Sequence, residues 1–120
     1  MNNIILILLM VTLPSCSLWK IGFNEEFAKG QVEQATDYTE QPDSNYNLIS
    51  KQKAVKVAKK EIYTTYGYWD INKRERPFNK YFIGDYLHMS GSLRKGWKGG
   101  VFIIIVDRKD GQIVSQYHGK

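Results

Sequence analysis

Six consecutive apolar residues, Val101-Phe102-Ile103-Ile104-Ile105-Val106, restrict the fold more than any other stretch of the chain. A strand with one wet face alternates apolar and polar residues. One that is apolar at every position is covered on both faces and belongs in the middle of a sheet. Neighbouring segments supply the rest of that sheet. Phe78 to Ile83 and Tyr86 to Leu93 read as strands, with Gly84-Asp85 between them as a two-residue hairpin turn. Lys109-Asp110-Gly111 turns the apolar strand back into Gln112 to His118, where Ile113, Ser115 and Tyr117 alternate with Val114, Gln116 and His118. Upstream, Ser50 can N-cap a helix running to about Tyr66. Ala54, Val55, Ala58 and Ile62 share its apolar face, Lys51, Lys56, Lys59 and Lys60 lie largely elsewhere, and Gly67 stops it. The order predicts an α+β fold, with one main helix packed on a curved antiparallel sheet of about four strands. A chain of 120 residues has room for one such core.

The amino-terminal end carries a different kind of information. Met1 to Ser15 has no charged side chain, and Ile4 to Leu13 is a ten-residue apolar block. As a helix it would be roughly 15 Å long, about half of a ~30 Å hydrocarbon layer, so it reads as a signal-peptide core. Leu13-Pro14-Ser15-Cys16 resembles the bacterial lipobox, in which the Cys is joined to diacylglycerol and becomes the new amino terminus; Cys16 is the sole Cys. The resemblance implies a signal peptide over 1–15 and a lipid anchor at Cys16. It places the chain at the cell envelope, and Ser17 after the Cys favours the outer membrane in a two-membrane cell. Residues 16–49 then read as a lipidated acidic tether and 50–120 as the folded domain. Asn24 to Ser50 has six acids against Lys29, whereas from Lys51 onward 15 Lys or Arg face six acids. Phe23, Phe27 and Val32 can line one face of a short helix, while Gly30 and the polar run Gln34 to Asn47 with Pro42 favour linker.

Few patterns point to catalysis. There is no Gly-rich phosphate loop, nucleophile elbow or metalloprotease His pair, and one Cys with two distant His argues against a metal centre. Gly96, Gly99 and Gly100 lie in a loop between strands with no helix start to hold an anion. His88 and His118 each fall on a strand without a carboxylate nearby in sequence. An enzyme would have to draw on Tyr86, Asp107 or His88 in a domain with little depth for a pocket. The expectation is a binding protein, with no cofactor and no metal. Lys73-Arg74-Glu75-Arg76 and the Arg94 to Lys98 loop mix cations with aromatics as nucleic-acid binders do, but a lipidated exported chain meets little nucleic acid. The candidate partner-binding residues are Arg94, Lys95, Trp97, Lys98, Tyr117 and His118, chosen because Tyr, Trp and Arg dominate interface hot spots.

An ordered set of short motifs spans the last 70 or so residues: Ala54 and Ala58, Tyr66-Gly67, Arg76-Pro77-Phe78, Gly91-Ser92-Leu93, Gly99-Gly100-Val101, Asp110-Gly111 and terminal His118-Gly119-Lys120. It resembles the small bacterial immunity proteins of the nuclear-transport-factor-like (NTF2) fold, which protect a cell from polymorphic toxins. That resemblance implies binding to a cognate protein toxin, acidic if the basic domain steers it, and a sheet face bordered by Gly91, Trp97 and His118 for the contact. A helix on an antiparallel sheet ending in an Asp-Gly turn also resembles PepSY-like and cystatin-like modules, which implies binding to a peptidase or an envelope component instead.

Overall fold

The computed structural model describes residues 20–36, 38, 47–94 and 99–119, so the signal segment, Cys16, Lys95, Trp97 and Lys98 lie outside the described residues. The elements are β1 (Lys20–Ile21), α1 (Glu25–Ala35), α2 (Lys51–Tyr66), α3 (Tyr68–Glu75), β2 (Asn79–Ile83), β3 (Tyr86–Ser90), β4 (Leu93–Arg94), β5 (Phe102–Asp107) and β6 (Ile113–His118). The fold is α+β. Its main sheet runs β2-β3-β5-β6, antiparallel throughout, which puts β5 inside and β6 at an edge.

β5 is covered on both sides, as its composition requires. Phe102, Ile104 and Val106 pack with Leu87 and Met89 against Ala54, Ala58 and Ile62 of α2 and Ile71 of α3. Ile105 faces the other way and packs with Ile83, Tyr86 and Val32 of α1. Small residues at 54 and 58 let α2 lie close to the sheet, while Ile62 fills the space that opens beyond them. The caps follow the local chemistry. Ser50 Oγ accepts from the Lys53 N–H at 3.1 Å, and Gly67, at φ +94°, closes α2 with its N–H on Tyr63 O at 3.0 Å. Gly67 does not end the helical layer: its carbonyl accepts the Ile71 N–H at 3.2 Å and opens α3 at an angle to α2.

Two expectations need correction. The strand expected over Tyr86 to Leu93 stops at Ser90, and Leu93-Arg94 pairs separately with β1. The break comes at Gly91-Ser92, where the chain turns to other partners. Gly91 N–H binds Phe102 O, Ser92 N–H binds Glu75 O at 2.8 Å, and Ser92 Oγ donates to Pro77 O at 2.6 Å. A Cβ on Gly91 would stand 2.8 Å from Glu75 Cβ, so only glycine lets α3 approach there.

The second correction concerns the tether. Residues 25–35 are a packed helix. Asn24 Oδ1 caps α1 by accepting from the Phe27 N–H at 2.8 Å, Glu25 and Glu26 suit its first turn, and Ala28 and Val32 are fully buried. Tyr81 Oη donates to Phe23 O at 2.9 Å, fastening the start of α1 to β2. The Phe23 and Phe27 rings stack at 4.3 Å, but Phe27 itself remains 42% exposed, and the sheet-facing anchors are Ala28 and Val32. Gly30 does not break the helix, and nothing lies within 4 Å of a Cβ added there. Gly30→Ala is therefore expected to stabilise the fold by roughly 0.5–1 kcal/mol, read as a higher midpoint in urea unfolding followed by circular dichroism.

Candidate partner-binding site

Of the predicted contact residues, Arg94, Tyr117 and His118 lie among the described ones, and Tyr117 and His118 do not share one face of the sheet. Tyr117 pairs with Ile103 and faces the α1 side, whereas His118 pairs with Phe102 and faces α2 and α3. Arg94 is exposed at the end of β4, where it pairs with Lys20. Gly119 N–H binds Val101 O at 3.2 Å, which holds the end of β6 beside the start of β5. Among the described members of the set, Tyr117 and His118 therefore lie at the end of β6 on opposite faces of the sheet.

His118 proves to be a structural group. Its Nε2 lies 3.1 Å from Glu75 Oε2 and its Nδ1 lies 2.7 Å from Gly119 O, with Tyr66 against the ring. The carboxylate that the local sequence lacked comes from α3. Glu75 is 5% exposed, and its Oε1 also accepts the Phe102 N–H at 2.7 Å. One buried carboxylate therefore clamps α3 to the start of β5 and the end of β6, its desolvation offset by these donors.

On the opposite face a polar line leads from the interior to solvent. His88 is fully buried, and its Nε2 lies 2.6 Å from Gln31 Oε1. Gln31 Nε2 in turn donates to the Tyr117 hydroxyl. The amide oxygen can only accept, so the ring carries the proton of this bond on Nε2. Its Nδ1 has no hydrogen-bond partner, and neither has Ser90 Oγ. Beside this line a shallow cleft of about 190 Å³ is lined by Gln31, Gln34, Ala35, Ile105, Ser115 and Tyr117. That is smaller than the several hundred Å³ of ordinary small-molecule sites. Asp107, considered above as an acid or base, instead accepts from the Lys109 N–H at 2.8 Å in the β5–β6 turn, and Lys109 sits over the Tyr86 ring. Among the described residues no three His, Cys, Asp or Glu gather where they could hold a metal ion.

Sequence reasoning missed Gln31, which lay in a stretch read partly as linker and acts on a residue 57 positions away. It also missed Tyr68 and Trp69 on α3, respectively 53% and 81% exposed. The adjacent pair of aromatics after Gly67 was the available signal, but without the helix it had no face to be assigned to. Charge divides in the same way as the sheet faces: Glu25, Glu26 and Glu33 are exposed on α1, while Lys53, Lys56, Lys60, Lys73 and Arg74 are exposed on α2 and α3.

Burial pushes the His88 pKa down from 6.5 to about 4. The unfolded chain then binds this proton first, so stability is full above about pH 6.5 and is lost as pH falls toward 4. The loss from this group is expected to reach up to about 3 kcal/mol. His88→Phe should flatten that part of the acid limb, measured as the difference between the two proteins in urea unfolding at a series of pH values.

The family model described as NTF2 fold immunity protein matches residues 53–120, which run from the first turn of α2 through α3 and the whole four-stranded sheet. Comparison with curated proteins and with solved structures gives no match. The matched region holds the α2–α3 layer, the Glu75 clamp and every strand of the main sheet, and on that basis the chain belongs to the NTF2-fold immunity protein family.

Proposed function

We propose that this chain is a lipid-anchored immunity protein that binds and neutralises a cognate toxin at the cell envelope, without catalysis and without a cofactor. Membership of the immunity family carries the reading and favours it over the PepSY-like and cystatin-like alternative. The anchor rests on Leu13 to Cys16, and the acidic character of the toxin rests on the basic residues that follow Lys51. Two acyl chains hold a protein to a bilayer where one binds marginally, so lipidation would keep the inhibitor where an incoming toxin arrives. Within this reading the Arg94 to Lys98 loop steers the approach, since exposed charge acts mainly on association rate.

Two outcomes are expected. In the producing organism the full chain should incorporate a labelled palmitate analogue, and Cys16→Ser should not; equal labelling would remove the anchor. The immobilised mature domain should retain one secreted protein at moderate salt, and expression of the chain should rescue cells from that protein. Arg94→Glu, Lys95→Glu and Lys98→Glu together should then slow association several-fold and flatten its salt dependence. Unchanged kinetics would take the loop out of the interface, and an absence of rescue would sink immunity.

A further inference from the structure

Trp69 is the most exposed large apolar residue among those described, yet it stands on one of the more firmly braced parts of the molecule. Its ring meets Tyr68 edge-on at 5.5 Å, and Tyr68 meets Tyr63 at 4.8 Å. Tyr63 lies 6.4 Å from Phe78, and Phe78 meets Phe102 edge-on at 5.1 Å. A continuous run of rings thus connects the surface indole to Phe102 in the core. Asn72 braces the base of the knob, its Oδ1 accepting from Tyr63 Oη at 3.1 Å and its Nδ2 donating to Tyr68 O at 2.8 Å. Below it, the Glu75 clamp holds the same helix to the sheet. The turn of α3 that carries Trp69 is braced in this way, which limits the backbone freedom lost on binding.

The surroundings specify the partner. On the α3 wheel Ile71 and Glu75 point inward, which sets Trp69 and Lys73 one turn apart on the outward ridge. Arg74 is exposed beside them on α3, and Lys53, Lys56 and Lys60 are exposed on the outward side of α2, while the exposed acids Glu25, Glu26 and Glu33 lie across the sheet on α1. We infer that the outer α2–α3 face is a docking surface for an acidic protein, with Trp69 as its anchor and Lys73 and Arg74 steering the approach. Asp70, exposed next to Trp69, disfavours a phosphate-lined surface such as a bilayer or a nucleic acid, whereas a protein surface can offer acids to the cations and a donor to Asp70. This deepens the immunity reading and rests on it for the identity of the partner as the toxin.

The test uses the full chain in the producing organism, with a photo-crosslinking benzophenone side chain at position 69 and, as a control, at position 27 on the acidic helix. An adduct with an acidic protein is expected at 69 and not at 27. With that partner purified, Trp69→Ala should weaken binding at least tenfold, mainly through faster dissociation, with an unchanged circular dichroism spectrum. Lys73→Glu with Arg74→Glu should slow association several-fold and reduce its salt dependence. An acidic partner that binds in this way but does not inhibit growth would leave the surface standing and remove immunity. A toxin that the chain neutralises but that binds both variants like the parent would leave immunity standing and remove the surface. Adducts at 69 with lipid, nucleic acid or a basic protein, or no adduct there, would overturn the proposal.

Discussion

Everything in this molecule is arranged around the burial of β5 on both faces. Phe102, Ile104 and Val106 cannot be covered by the same layer that covers Ile105, so the sheet must be closed from two sides. The larger cluster is closed by α2 and α3. The smaller one recruits α1 from a segment whose composition alone resembles a tether. Covering an aliphatic side chain is worth roughly 1.5–3 kcal/mol, several times the cost of a glycine within a helix, which is why Gly30 does not prevent α1 from forming.

The second organising interaction is the buried Glu75 carboxylate. It accepts from the backbone of β5, faces the imidazole of His118 on β6, and lies against Gly91, whose missing side chain makes the approach possible. A carboxylate enclosed to this degree is costly unless its oxygens are satisfied, and here both are. The arrangement explains why α3, only eight residues long, has a defined position. It also gives His118 a structural partner on α3.

Two faces of opposite character result. The α1 side is acidic and carries the His88–Gln31–Tyr117 line and the shallow cleft; the α2–α3 side is basic and carries the braced aromatic knob. The charge asymmetry along the sequence, acids before residue 50 and cations after it, becomes an asymmetry through the thickness of the sheet. A domain that orients in the field of a charged partner benefits from such a separation, because the attractive face leads and the repulsive one trails.

Features that depend on neighbours along the chain could be read from the residues alone. The six apolar residues of the central strand, the Ser50 cap, the Gly67 stop, the Gly84-Asp85 turn and the turn through Asp110-Gly111 were all legible, because dihedral preference and side-chain period act within a few residues. The motifs from Ala54 to His118 likewise carried the family. Which faces those elements present is settled only by how they pack. Packing supplied Glu75 as the carboxylate of His118, Gln31 as the partner of His88, Ser90 as the end of β3, a packed α1, and Trp69 on an outward ridge of α3. Each of these depends on groups brought together from distant parts of the chain, where burial and hydrogen-bond satisfaction, set by the packed whole, outweigh local propensity.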